Sequence, residues 1–196
     1  MYLRFWFVVG ALMLCGCGRQ ERTEAVRFWK VLENQRADFT AFTEQETRFL
    51  DGAQSWCAGV MANGAGRGDQ LDRNAETAGQ LAKSADVLSG RLGRIRQAVY
   101  NEKLESDGTR SIRSTLIDQF AQRQRYLQEV RTMLQETAPA FLQFRNDRTY
   151  TADTYPGGLA KLNDRLSGPR GQRDVLEPAI TALKEKYQLT AADLGK

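Results

Sequence analysis

The chain has 196 residues with 28 basic and 24 acidic side chains, and it contains no histidine. The lack of histidine excludes the common serine and cysteine triads, which use it as a base, and the Glu-x-x-His ligands of di-iron bundles. A net charge of only +4, without a lysine-rich block, argues against a nucleic-acid partner. We expect no cofactor and no metal site.

Residues 1–17 have the organisation of a bacterial export signal. Arg4 precedes an uncharged run from Phe5 to Leu14, which is shorter than the roughly 20 apolar residues that a transmembrane helix needs. The sequence Leu14-Cys15-Gly16-Cys17 follows, and it resembles the lipobox of bacterial lipoproteins. The resemblance implies that residues 1–16 are a cleaved signal peptide and that Cys17 is the lipid attachment site. Residues 17–21 are then a lipidated tether, and residues 22–196 form the helical bundle domain.

Two alternatives to lipid attachment at Cys17 remain open. Cys15 would be the lipidated residue in Leu12-Met13-Leu14-Cys15, but Leu14 then stands where the signal peptidase prefers a small residue. The other alternative is an ordinary signal peptide with incidental cysteines, or an uncleaved anchor. The sequence favours Cys17 over both.

A lipid on Cys17 predicts where the protein resides. A diacylglyceryl thioether with an N-terminal acyl chain such as palmitate supplies several chains, and two or more chains anchor a protein stably. We therefore expect a membrane-anchored protein of the cell envelope that faces the periplasm. Residue 18 is glycine rather than aspartate, which in enterobacteria-like cells favours the outer membrane over the inner membrane.

Cys57 is the single cysteine that would keep a free thiol after cleavage and lipid attachment at Cys17. One cysteine cannot close a loop within its own chain, even in an oxidising compartment. Its apolar surroundings indicate a buried, inert thiol. An intermolecular disulfide is the alternative.

The mature sequence has a strong helical pattern. Apolar residues recur at steps of three and four, whereas no stretch alternates with a period of two. Glycine- or proline-rich breaks separate the helical segments, and they lie at residues 63–68, 106–108, 146–158 and 167–171. The fold class predicted is all-α, as an elongated antiparallel bundle of three long helices plus shorter C-terminal helices. Thr190 and Asp193 are spaced as a capping box for a last short turn.

Polar residues interrupt the apolar seams of the three long helices. Folding the chain at its first two breaks places three pairs at similar heights, namely Gln35 with Arg113, Glu46 with Arg123, and Asn74 with Thr137. Buried polar groups are tolerated when they find partners, so these residues could form layers that fix the register. Alternatively, the long side chains extend out of a narrow bundle into solvent.

Five aromatic residues near one predicted end of the bundle are candidate partner contacts. They are Trp56, Phe141, Phe144, Tyr150 and Tyr155. Exposed aromatics would indicate recognition of a partner, whereas packed aromatics would close the end of the bundle, and packing is favoured.

The function expected is that of a lipid-anchored, non-enzymatic scaffold or interaction module with a protein partner. One alternative is a small-ligand-binding lipoprotein with a pocket between helices. A second alternative is a cell-wall-acting enzyme, because Glu105-Ser106 superficially resembles the catalytic Glu-Ser of lytic transglycosylases. The pair falls in a turn and the later motifs of that family are not found, so this alternative is disfavoured.

Overall fold

The structure, a computed structural model, describes residues 3–64, 66–146, 154–168 and 174–195. Over these ranges every regular element is helical. The α-helices are α1 (Leu3–Asn63), α2 (Asp69–Tyr100), α3 (Asp107–Asn146), α4 (Thr154–Ser167) and α5 (Leu176–Tyr187), followed by a short 3-10 helix (Ala191–Leu194). The all-α class and the bundle of three long helices with shorter C-terminal helices are therefore confirmed. Residues 17–21, predicted as a tether, continue α1.

The described chain divides into two compact units. Unit 1 contains Met1–Asp38, Ile95–Gln119 and Asp174–Lys196, and unit 2 contains Phe39–Arg94 and Phe120–Arg173. Each of the three long helices contributes to both units, because the division crosses α1, α2 and α3.

Within unit 2, ion pairs define the directions of the long helices. Asp72 meets Arg145 at 2.5 Å near one end of the α2–α3 pair, and Asp86 meets Arg131 at 2.7 Å further along. Residue numbers rise on α2 as they fall on α3, so these two helices are antiparallel. The short glycine-containing connection from α1 to α2 likewise favours an antiparallel arrangement of the two helices that it joins.

The core of unit 2 combines large side chains with small ones. Phe42 on α1 and Phe120 on α3 are fully buried, whereas the buried face of α2 includes alanines such as Ala78 and Ala85 between its leucines. Small residues facing large ones allow helices to interlock without voids. The apolar positions at steps of three and four are thus the buried positions, as the pattern predicts.

In unit 1, α5 covers the first part of the bundle with a narrow apolar stripe. Leu176, Ile180 and Leu183 are buried, and they share one helix face because they are spaced by four and three residues. The helix ends at Gln188, whose φ of 52° and ψ of 47° are left-handed, a common helix termination. The predicted capping box of Thr190 and Asp193 is present in the 3-10 helix.

The predicted polar layers have three different outcomes. Glu46 and Arg123 form a buried ion pair, which confirms their predicted register. The pairing of Gln35 with Arg113 is wrong, because Arg113 donates instead to the carbonyl oxygens of Tyr100 and Glu102. The last carbonyls of a helix lack intrahelical partners, and those after α2 attract the guanidinium.

Asn74 and Thr137 are both buried, at 4% and 6% exposure. The hydroxyl of Thr137 donates to the carbonyl of Met133 one turn earlier, at 2.7 Å. Thr137 therefore has a partner within its own helix. The pairs Asp72–Arg145 and Asp86–Arg131 place Asn74 level with residue 143 of α3 rather than with Thr137, so the predicted layer does not form.

Candidate functional site

The turns of α1 that follow Cys17 are exposed. Residues 18–23 all lie at the surface, and burial begins at Glu24 and Ala25. Cys17 itself belongs to the helical backbone of α1, but its side chain lies outside the described side chains. Among the described residues, no helix combines the length and apolar character required to cross a membrane.

Polar contacts attach these exposed turns to the rest of unit 1. Arg22 donates from one guanidinium nitrogen to both carboxylate oxygens of Asp193, at 3.0 and 3.1 Å. Gln20 donates to the carboxylate of Glu105 at 3.5 Å. The segment directly after Cys17 is therefore bonded both to the C-terminal 3-10 helix and to the α2–α3 connection.

A second attachment lies about one turn further along α1. Arg27 pairs with the carboxylate of Glu102 and also donates to the carbonyl of Lys103. Exposed ion pairs of this kind each contribute only about 0–1 kcal/mol. Several contacts to the same connection nevertheless hold residues 20–27 of α1 against it.

The carboxylate of Glu24 is the centre of a buried polar network at the start of α3. Its two oxygens accept the backbone N–H groups of Glu105 and Ser106, at 2.7 and 3.0 Å, and the hydroxyl of Ser106 at 2.9 Å. The fully buried hydroxyl of Thr109 also donates to it. The hydroxyl of Tyr187, from the end of α5, lies 3.4 Å from the Ser106 hydroxyl. Glu24 thus caps the N-terminus of α3 from another helix and satisfies donors that helices leave unpaired.

The surroundings of Glu24 decide what chemistry it can perform. Burial raises its pKa, but the hydrogen bonds from Thr109, Glu105 and Ser106 together outweigh burial and lower the pKa from its ordinary value. A carboxylate with a lowered pKa is a weak base, and general bases work best with a pKa near the operating pH. Ser106 therefore has a hydrogen-bond partner rather than an activating base, and the network stabilises structure.

Gly108 lies where α5 meets the first turn of α3. A Cβ atom at this position would lie 2.2 Å from the Tyr187 hydroxyl and 2.4 Å from the Lys186 amine. Both distances are far inside van der Waals contact, so a larger residue would displace the flexible Lys186 side chain and the Tyr187 ring with its hydroxyl. Gly108 belongs to one of the predicted breaks, whereas no local pattern in the sequence indicates Glu24, Thr109 and Tyr187, which are 78 to 163 residues apart.

In unit 2, the aromatic residues proposed as partner contacts are only partly at the surface. Phe141 is fully buried, and its ring centroid lies 6.0 Å from that of Trp56, with the rings tilted by 60°. Trp56 and Phe144 are half-buried. Tyr150 lies outside the described residues, and Tyr155 belongs to α4 but its side chain is outside the description. Phe141 and Trp56 pack against each other, as edge-to-face aromatic pairs do in cores.

Trp56 nevertheless leaves one polar group unsatisfied. Its indole nitrogen is buried and has no hydrogen-bond partner among the described residues. The surface nearby in sequence includes Met61 and Leu142, which are 46% and 43% exposed. Exposed apolar side chains are normal when scattered singly, so these two residues do not by themselves define a docking site.

Cys57 is buried in unit 2, as predicted. It has no exposed surface and is a free thiol, and its Sγ donates to the carbonyl of Leu159 on α4 at 3.3 Å. Burial raises the pKa of this thiol to about 11. The thiolate is the reactive form of cysteine, so Cys57 is chemically inert near neutral pH in the folded protein.

A surface groove of about 430 Å³ follows α3 in unit 2. Its described lining comes entirely from α3 and is mostly charged or polar: Arg125, Gln128, Glu129, Thr132, Met133 and Glu136. Small-ligand sites are typically concave and mostly apolar, with polar groups converging from several elements. In this groove the described lining belongs to one helix, so its polar groups do not converge from several elements.

No family model, no curated protein and no solved structure matches this chain. In the described part of the chain, no group of three or more cysteine, aspartate or glutamate residues is placed to hold a metal ion.

Proposed function

We propose that this protein is a lipoprotein of the bacterial cell envelope, anchored through Cys17, whose helical units act as a scaffold or interaction module. The sequence Leu14-Cys15-Gly16-Cys17, placed after one basic residue and a short apolar run, is the observation that carries the proposal. The protein would face the periplasm, with the outer membrane favoured by Gly18.

The geometry after Cys17 is compatible with a lipid at that position. Residues 18–23 are exposed, so acyl chains on Cys17 would not have to displace the core that begins at Glu24. The contact of Arg22 with Asp193 and the network around Glu24 bind these turns to the body of unit 1. A lipid on Cys17 would therefore hold a structured helix, and the position of unit 1 near the bilayer would be restricted.

The proposal of a non-enzymatic role rests on how the buried polar groups are used. Glu24 accepts hydrogen bonds from two backbone amides and two hydroxyls, and Glu46 is paired with Arg123. Each of these carboxylates is engaged by groups of the protein itself. A catalytic carboxylate, in contrast, must be able to reach a substrate. Glu24 and Glu46 therefore have structural roles, and we propose that the protein binds a protein partner rather than a substrate.

The attachment site is tested by two matched serine variants. Cys17→Ser should abolish acylation and leave residues 1–16 on the chain, both of which mass spectrometry detects. Cys15→Ser removes a thiol two residues away and should behave as the native protein does. If Cys15→Ser shows the defect and Cys17→Ser does not, the attachment site is Cys15 and the proposed site is wrong.

The interaction role is tested by photo-crosslinking in the native envelope. A photoreactive residue at Leu142, near the aromatic pair of unit 2, should capture a distinct protein band. The same residue at Val87, which is 68% exposed on α2, serves as the control. Equal, diffuse labelling from both positions would contradict a partner at the aromatic end of unit 2.

A further inference from the structure

The connection between α1 and α2 contains the one Asn-Gly pair of the chain, Asn63-Gly64. Asn63 is the last residue of α1, and its side-chain amide is exposed and donates to the carbonyl of Gly59 at 3.0 Å. Gly64 has a φ of +74°, and a Cβ placed there would meet nothing within 4 Å. The pair therefore lies in open space where the helix terminates.

We infer that Asn63 is a site of spontaneous deamidation, a covalent modification that removes the side-chain amide. The backbone nitrogen of Gly64 attacks Cγ of Asn63, so that a ring closes through a new C–N bond. The Cγ–Nδ2 bond breaks, and ammonia leaves with the proton that the Gly64 nitrogen gives up. One water molecule then opens the ring at either carbonyl and yields aspartate or isoaspartate. Glycine favours the attack because no Cβ hinders its nitrogen.

Because Asn63 lies at the end of α1, the backbone change that ring closure requires costs little free energy. The ring can close only if Asn63 leaves its helical conformation, and fraying ends open with a free energy close to zero. Asn34, Asn74 and Asn163 lie within helices instead. Opening the interior of a helix requires the loss of several hydrogen bonds, so these residues should be protected.

Asn101 provides an internal comparison. It is exposed and lies outside the helices, in the α2–α3 connection. The residue that follows is Glu102, which has a side chain and whose carbonyl accepts a hydrogen bond from Arg113 at 2.5 Å. If exposure alone set the rate of deamidation, Asn101 and Asn63 would react equally fast. Because the glycine nitrogen after Asn63 is unhindered, we expect Asn63 to deamidate faster than Asn101.

The modification would change the end of α1 in two ways. A new carboxylate would lie at the C-terminus of the helix, where the helix dipole disfavours negative charge. The hydrogen bond from the Asn63 amide to Gly59 would also be lost. Isoaspartate adds a carbon atom to the backbone and would displace the connection to α2 further. We therefore expect the last turn of α1 to exchange its amide hydrogens faster after deamidation.

The test is incubation of the purified mature protein at 37 °C and mildly alkaline pH, followed by trypsin digestion and mass spectrometry. Cleavage after Arg48 and Arg67 gives a fragment, residues 49–67, in which Asn63 is the sole asparagine. This fragment should gain about one mass unit and separate into an aspartate and an isoaspartate form. The fragment 97–103, which contains Asn101, should change more slowly.

A Gly64→Ala variant and a denatured sample complete the experiment. Gly64→Ala should slow the mass gain of fragment 49–67 while leaving fragment 97–103 unchanged. The denatured sample of the unsubstituted protein gives the rate of deamidation at Asn63 in the absence of the fold. If the folded protein shows no gain in fragment 49–67 after the denatured sample has converted, the fold protects Asn63 and the inference is refuted. Equal rates at Asn63 and Asn101 would refute it as well.

Discussion

The buried ion pair between Glu46 on α1 and Arg123 on α3 leads to a measurable prediction about stability. The two side chains are 6% and 13% exposed, and the Nε atom of Arg123 lies 2.9 and 2.7 Å from the carboxylate oxygens. The guanidinium also lies 5.5 and 5.0 Å from the ring centroids of Phe39 and Phe42. If either side chain were removed, the remaining charge would have no opposite charge beside it and would also be shielded from the water that hydrates it in the unfolded chain.

Removing one partner should therefore be costly. Glu46→Leu or Arg123→Leu should each lower the free energy of unfolding by about 3–5 kcal/mol. Arg123→Leu should be the more damaging, because it also removes two cation–π contacts worth about 0.5–2 kcal/mol each and leaves the less exposed charge alone. The double variant should be more stable than Arg123→Leu, because apolar replacements of a complete buried pair are often neutral or stabilising.

Urea denaturation followed by far-ultraviolet circular dichroism measures these differences. The exposed pair of Asp86 and Arg131 is a matched control, because it also joins two long helices but its side chains are 62% and 39% exposed. Arg131→Leu should change the free energy of unfolding by no more than about 1 kcal/mol. If the loss in the double variant equals the sum of the two single losses, Glu46 and Arg123 are not coupled and the reasoning is refuted.

Three further predictions concern Glu24, Cys57 and Gly108. Because the pKa of Glu24 is lowered on folding, its contribution to stability should be complete above roughly pH 4.3 and be lost as the pH falls through the folded pKa. Glu24→Gln should therefore flatten the acidic part of a plot of the urea midpoint against pH. The Cys57 thiol, whose pKa is raised to about 11, should resist alkylation at pH 8 until the protein is denatured, and the protein should run as a monomer on non-reducing electrophoresis; rapid alkylation or a reducible dimer would contradict its burial. Gly108→Ala should destabilise the protein by about 1–3 kcal/mol through its clash with Tyr187, whereas Gly79→Ala, in open space on α2, should stabilise it by about 0.5–1 kcal/mol; equal effects in thermal unfolding would show that the packing at Gly108 is looser than described.

The helical fold could be predicted from the sequence because its signal is local and repeated. Residues such as Phe42, Leu88 and Leu127 occupy the steps of three and four, and each is buried. The glycine-rich break at residues 63–68 likewise coincides with the end of α1 and the start of α2. Given these two features, folding the chain back on itself sufficed to place Glu46 beside Arg123.

The polar network around Glu24 could not be found in this way. Its members come from α1, the α2–α3 connection, α3 and α5, and their contacts depend on how the connection folds rather than on any periodic spacing. The wrong partner for Arg113 has the same origin. The chain after Tyr100 brings unpaired carbonyls within reach of the guanidinium, and a register argument between long helices does not include such groups.

The aromatic residues were harder to assign because exposure depends on neighbouring elements. The sequence grouped Trp56 and Phe141 with Phe144, Tyr150 and Tyr155 as possible partner contacts, and it favoured packing of these side chains over exposure. The rings of Trp56 and Phe141 pack together, with their centroids 6.0 Å apart. The half-buried Phe144 remains a candidate contact for a partner.

Intact mass spectrometry of the N-terminal peptide, isolated from native membranes, tests the central claim most directly. The account predicts that residues 1–16 are absent and that the first residue, Cys17, carries a diacylglyceryl thioether with an acylated amino group. Retention of residues 1–16, or acyl groups on Cys15 with Cys17 unmodified, would contradict lipid attachment at Cys17 and, with it, the proposed anchoring of α1.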